Sequence, residues 1–216
     1  MFRVITIERE FGCGGGAIAG KLASRLGWTL WDQRLSQEIA GMAEVDCAVV
    51  NGCDEKLDGR LYRLTKLFFR GSNDRGTQLA DAKVFDADCM VAMMESLTKR
   101  IADEGNSVVV GRGAPYFLRQ RNDALHIFLY APRAEKLRRL RASGPSERDA
   151  EHLVDTVDRE RMAFVKHYFH ADWPTRALYH LMLNTVIGDD QIVATIMDTM
   201  RQLEKASGAR EVQPTH

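Results

Sequence analysis

The chain has 216 residues, of which 45% are hydrophobic and 28% charged. That is enough apolar material for one domain with a sizeable core, and it excludes a disordered chain, a collagen-like repeat and a disulfide scaffold. Thirty Lys plus Arg offset thirty Asp plus Glu, so the formal net charge is zero. No overall positive field exists to gather nucleic acid or an anionic membrane surface, and any affinity for phosphate has to be local.

In chain order, Val4 to Ile7 is a short β-branched run bounded by charge, the pattern of a buried parallel strand. EREFGCGGG follows directly, then AIAGKLASRLG, whose Ile18, Leu22 and Leu26 recur at helical spacing. Gly27 closes that helix, WTLW gives a second strand, and Asp32 opens another helical stretch through Leu35, Ile39 and Met42. From about 43 to 80 the pattern blurs around Asn51-Gly52, Asp58-Gly59 and Gly71-Ser72-Asn73, which reads as a flexible insertion.

A long helix is expected from about Asp86 to Glu104, then a strand over Ser107 to Val110 ending in Gly111-Arg112-Gly113. LHIFLY is the next strand, and His126 inside it reads as a hydrogen-bonded buried or edge histidine rather than a catalyst. Helices follow over Arg133 to Ala142 and about Glu147 to Tyr168, with a last strand in YHLMLNT. A final helix from about Asp190 to Leu203 precedes a polar tail, residues 207–216, expected to be flexible. Strands alternating with helices predict an α/β fold whose parallel sheet binds ligands at the carboxyl ends of its strands. The cysteines Cys13, Cys47, Cys53 and Cys89 form no CxxC pair, and charge interrupts the apolar opening. The expectation is a cytoplasmic chain with neither signal peptide nor membrane span.

The glycine loop is the principal functional signal. A strand that stops in Gly12, Cys13, Gly14, Gly15 and Gly16 and restarts as a helix at Ala17 presents unpaired backbone N–H groups and a helix N-terminus at one point. A tight turn kept for packing alone is the competing reading. The full phosphate-loop signature, GxxxxGK followed by Ser or Thr, is not met: Gly15 stands at the lysine and Gly16-Ala17 where the hydroxyl residue follows. The missing charge has to come from elsewhere, with Arg9 the nearest candidate.

ITIEREFGCGGGAIAGKLASRLG followed by Asp32 resembles the start of the cytidylate kinase-like family, a branch of the nucleoside monophosphate kinases whose members read REFGSGG at this loop. VVVGRGAPYFLRQRNDALHIFLYAPRAEKLRRL, VDRERMAFVKHYFHADW and YHLMLNT are similar to later blocks of the same family, in the same order. The resemblance implies a P-loop kinase fold: a parallel five-stranded sheet flanked by helices, with a helical lid. On this reading residues 1–206 are one domain, with an acceptor-side insertion at about 43–80 and the lid at about 143–175. It further implies ATP and Mg2+ as cofactors, and a nucleotide and a small-molecule acceptor as partners, with no nucleic acid and no membrane.

By this resemblance Arg112 carries over as an acceptor-site arginine, whereas Val110 and Gly113 stand where true cytidylate kinases have aspartates. Arg159 and Arg161 match the lid in character. Two residues apart, they point about 200° from each other on a helix, so Arg159 with Lys166, or Arg161 with Asp158, is the geometric alternative to a shared phosphate.

Phosphoryl transfer needs two substrates held in line and cations on the moving group's oxygens. The expected cations are Arg9, Arg112, Arg159 and Arg161, with the donor phosphates on the backbone from Gly12 to Ala17. Magnesium would be held through water by Glu8 or Glu10, or by Asp32 across the cleft. Asp32 is read either as a helix N-cap or as a contact to the acceptor ribose, and Arg34 as an acceptor-phosphate contact or a solvated surface group. Two function classes follow. One is an ATP-dependent phosphotransferase moving the γ-phosphoryl group to a nucleoside monophosphate or other small acceptor, and the other a nucleotide-binding module without turnover.

Overall fold

The computed structural model describes residues 1–32, 34, 35, 38 and 87–211. The expected insertion at about 43–80 lies outside the described residues, as does the end of the helical stretch expected after Asp32. Five strands form one sheet: β1 (Val4–Arg9), β2 (Thr29–Trp31), β3 (Ser107–Val110), β4 (Ala124–Tyr130) and β5 (Leu181–Asn184). Every pairing is parallel and the order is β2-β3-β1-β4-β5. The described helices are α1 (Gly15–Leu26), α2 (Ala87–Glu104), the one-turn α3 (Ala114–Phe117), α4 (Arg133–Ser143), α5 (Glu147–Phe169) and α6 (Asp189–Glu211).

Side chains alternate across a strand, so the β-branched runs send successive residues to opposite faces. Ile5, Ile7, Val108, Val110, Leu125, Ile127 and Leu129 pack under α1 and α6, against Ile18, Leu22, Ile192 and Ile196. Val4, Val109 and Ala124 face the other way, toward Met94, Leu97 and Ile101 of α2 and Phe164 and Val165 of α5. The result is a three-layer sandwich with helices on both faces of a buried sheet.

β1 is central, with β3 on one side and β4 on the other. The chain leaves β1 through α1 on one face of the sheet and leaves β3 through α3 on the other, so the connections part to opposite faces between β1 and β3. The crevice outside the carboxyl ends of those two strands is where such sheets accept ligands.

Most elements fall within a few residues of their expected places; two differ. Ala114–Phe117 forms a helical turn with Pro115 in its first positions, in a stretch too short for periodicity to reveal. The last helix runs on to Glu211 through EKASGARE rather than fading after Leu203, so the first part of the expected flexible tail is helical. Ala, Lys, Glu and Arg in that stretch favour a helix, and one glycine does not outweigh them. Among the described residues, no helix is long and apolar enough to cross a membrane.

Candidate functional site

The loop from Glu10 to Gly14 joins β1 to α1, and Gly14 is the helix N-cap in the left-handed region, φ 83° and ψ 9°. Among the described residues no side-chain hydrogen bond caps the helix, and a helix start of this kind favours an anion. At that φ a side chain is strained, and a Cβ on Gly14 would also displace Arg139 Nη1, so glycine is what fits there. Phe11 is packed with Leu137 and Leu140 of α4 and Ala150 and Val154 of α5, and its N–H donates to Asp158 Oδ1 at 2.8 Å. The Cys13 carbonyl accepts from Arg139 Nη1 and from Thr185 Oγ1, each at 2.7 Å. The Cys13 thiol is buried, and burial pushes its pKa up to about 11.

Beside the loop lies a buried ionic cluster. Arg112 is 2% exposed and sits in the left-handed region at φ 56°, between Gly111 and Gly113, which are left-handed as well. For a non-glycine residue that conformation costs about 1–3 kcal/mol and is kept where the surroundings over-determine it. Its Nη1 donates to Val110 O at 3.1 Å and to Asp32 Oδ1 at 3.3 Å. Arg9, 6% exposed, brings Nη2 to 3.9 Å from the same Asp32 oxygen. A Cβ on Gly111 would collide with Arg9 Nη1, so the bare backbone where β3 ends is what lets the guanidinium through.

Burial lowers both arginine pKa values, Arg112's to about 10; Asp32 opposes that shift in each. Both stay cationic at neutral pH. Asp32 therefore serves as counter-ion to two arginines, a role beyond the N-cap and ribose contact that its position suggests.

Arg161 Nη1 reaches in from α5 to Arg9 O at 2.8 Å and to Asp158 Oδ1 at 3.0 Å. Arg159 does not join it. It is exposed, and its Nε donates to Asp155 O one turn back. Of the two geometric alternatives, Arg161 with Asp158 is the one that forms.

Arg34 stacks over Trp31, its guanidinium 4.4 Å from the ring centroid, and lies near Glu38. Glu8 is 1% exposed; Oε1 accepts from Arg9 N, Oε2 is buried with no hydrogen-bond partner among the described residues, and burial raises the carboxyl's pKa. Glu10 Oε2 is taken by Lys136 Nζ at 2.6 Å and by Ala131 N. His126, inside β4, is buried and hydrogen-bonded through Nδ1 to Thr6 Oγ1 at 2.7 Å, as expected of a structural histidine.

Three residues around the loop are not singled out as site residues by the sequence: Lys136, Arg139 and Thr185. Lys136 is 7% exposed, with Nζ between Glu10 and Asp158, and Arg139 lies over Gly14 while its Nη2 donates to Thr185 O. The charges of RAEKLRRLR read as a solvated face, although the helix's start after a strand resembles the nucleotide-kinase element that borders the lid. The telling signal is position: a helix that starts just after a central strand puts its early turns at the ligand end of the sheet.

An all-parallel five-stranded sheet, a glycine loop opening the first helix and cations at the carboxyl ends of the strands define a P-loop kinase fold. The chain belongs to the cytidylate kinase-like family, whose profile matches residues 4–187. Among solved structures it is similar to an uncharacterized protein from Eubacterium ventriosum, with TM-score 0.65 and 20% identity over 94% of this chain and 99% of that one. It is also similar to shikimate kinase from Bacteroides thetaiotaomicron, with TM-score 0.52 and 14% identity over 93% and 99%. At these identities the likeness is one of fold. No curated protein matches the chain.

Proposed function

We propose that this protein is an ATP-dependent phosphotransferase that moves the γ-phosphoryl group to a nucleoside monophosphate or another small acceptor. One observation carries the reading: buried Arg9, Arg112 and Arg161, from three separate parts of the chain, meet beside an uncapped helix start at the ligand end of the sheet. Desolvated cations fixed in advance are what a charge-spread phosphoryl transition state requires.

The residues present fit a nucleotide polyphosphate. Backbone donors from Gly12 to Ala17 would hold the donor phosphates, and Arg9, Lys136 and Arg139 stand around them in place of the loop lysine. Arg112 would orient the acceptor's anionic group, with Asp32 beside it. Among the described residues, no three metal-ligating side chains cluster. A magnesium ion would therefore be held mostly by phosphate oxygens and water, with Asp32 or Glu8 as carboxylates beside the arginine cluster, and it would offset phosphate charge. Arg159, exposed on α5, is left for a role in closure.

Incubating the protein with ATP, magnesium and a panel of nucleoside monophosphates, nucleosides and small hydroxy acids should yield ADP and a phosphorylated acceptor. Absence of turnover on every acceptor, with no thermal stabilisation by ATP, would overturn the reading. Stabilisation without turnover would favour the binding module, which has one observation of its own. Gly15 stands at the lysine position, and a Cβ there would already crowd Arg9 at 3.1 Å.

A further inference from the structure

We infer that Thr185 is a positioning residue that sets the glycine loop's peptide geometry for anion binding; the inference rests on the phosphate-binding reading above. Thr185 lies immediately after β5, far from the loop in sequence, and is fully buried. Its Oγ1 donates to the Cys13 carbonyl at 2.7 Å, and Arg139 Nη1 donates to the same oxygen at 2.7 Å. Both lone pairs of that carbonyl are thus engaged.

The Cys13–Gly14 peptide is trans. In a planar trans peptide the C=O and the following N–H point in opposite directions. Pulling the Cys13 oxygen toward Thr185 therefore turns the Gly14 N–H away from Thr185 and Arg139, and no described residue accepts from it. Gly14, at φ 83°, leaves this plane free to flip at little steric cost, because glycine occupies either half of the map. A flipped plane would aim a carbonyl oxygen at the bound phosphate. The hydroxyl of Thr185 opposes that flip, and it does so from a fixed, buried site, whereas the Arg139 guanidinium is shared with Glu135 and the Thr185 carbonyl.

The test compares Thr185→Val, which keeps shape and removes the donor, with Thr185→Ser, which restores it. Thr6→Val is a stability control, since it removes a buried hydroxyl hydrogen bond of the same 2.7 Å length away from the loop. Binding of ATP and of inorganic tripolyphosphate is measured by calorimetry, together with the Gly14 amide signal in ¹H–¹⁵N spectra. Thr185→Val should bind both ligands about tenfold more weakly, the scale of one buried hydrogen bond, with a diminished Gly14 shift on tripolyphosphate addition. Thr185→Ser should stay within about threefold of wild type, while Thr6→Val should lose melting temperature and keep affinity. If Thr185→Val does not fold, Thr185→Ala, smaller and equally without a donor, should show the same loss of affinity.

Wild-type affinity and an unchanged Gly14 response in whichever donor-free variant folds would overturn the inference while leaving phosphate binding intact. A wild-type protein that binds neither ligand would remove the phosphate reading itself, and this inference with it.

Discussion

The two faces of the central sheet are built from alternate residues of the same strands and differ sharply in chemistry. Under α1 and α6 the face is aliphatic, from Ile5 and Ile7 on β1 to Leu125, Ile127 and Leu129 on β4, and Arg9 ends the row only at the crevice. On the other face the same strands bury Thr6, Glu8 and His126 among their apolar neighbours. A buried polar group stabilises little net and is costly to leave unpaired, so the first face is specialised for packing while the second also carries groups that packing alone does not call for.

That contrast can be broken most forcefully on the aliphatic side. Leu125→Ala, in the fully buried row, should lower unfolding free energy by about 2–5 kcal/mol in a urea titration. Phosphate binding at low denaturant should survive it. At the crevice the balance reverses: Arg112→Ala should reduce turnover on the preferred acceptor by about 10²–10³-fold, the scale of one lost transition-state contact. A rate within about threefold of wild type would show that the cluster is structural.

His126 offers a pH test of the polar face. Burial, with His180 beside it, holds its pKa at about 4, below the ordinary value of 6.5, so the unfolded chain binds the extra proton first. Its contribution to stability is complete above about pH 6.5 and should fall as pH drops toward 4, by roughly 3 kcal/mol at most. Denaturation midpoints for wild type and His126→Gln between those limits should converge on acidification. The smallest effect is expected from Arg159→Ala, whose side chain sits in solvent: within about 0.5 kcal/mol of wild-type stability, and little change in nucleotide affinity.

How far the sequence reveals fold and site depends on how local each signal is. The strands, the glycine loop and the major helices show in periodicity and composition, because each rests on residues close in sequence. Arg9 and Arg112 are readable from their places at the loop and at the end of a strand. Asp32 as their joint counter-ion is not, since β2 and β3 meet only in the folded sheet. Lys136, Arg139 and Thr185 stay hidden for the same reason: nothing near them in sequence says that their neighbours in space are Glu10, Gly14 and Cys13. Arg159 and Arg161 are separable by helical geometry alone, and their opposite exposures follow from it.

Phe11 carries a mechanical consequence. Its ring is wedged where α4 meets α5, and its amide is tied to Asp158 on α5. A swing of that helical pair would drag the leading edge of the glycine segment along with it. Any movement at the rim of the cleft would thereby reach the shape of its floor.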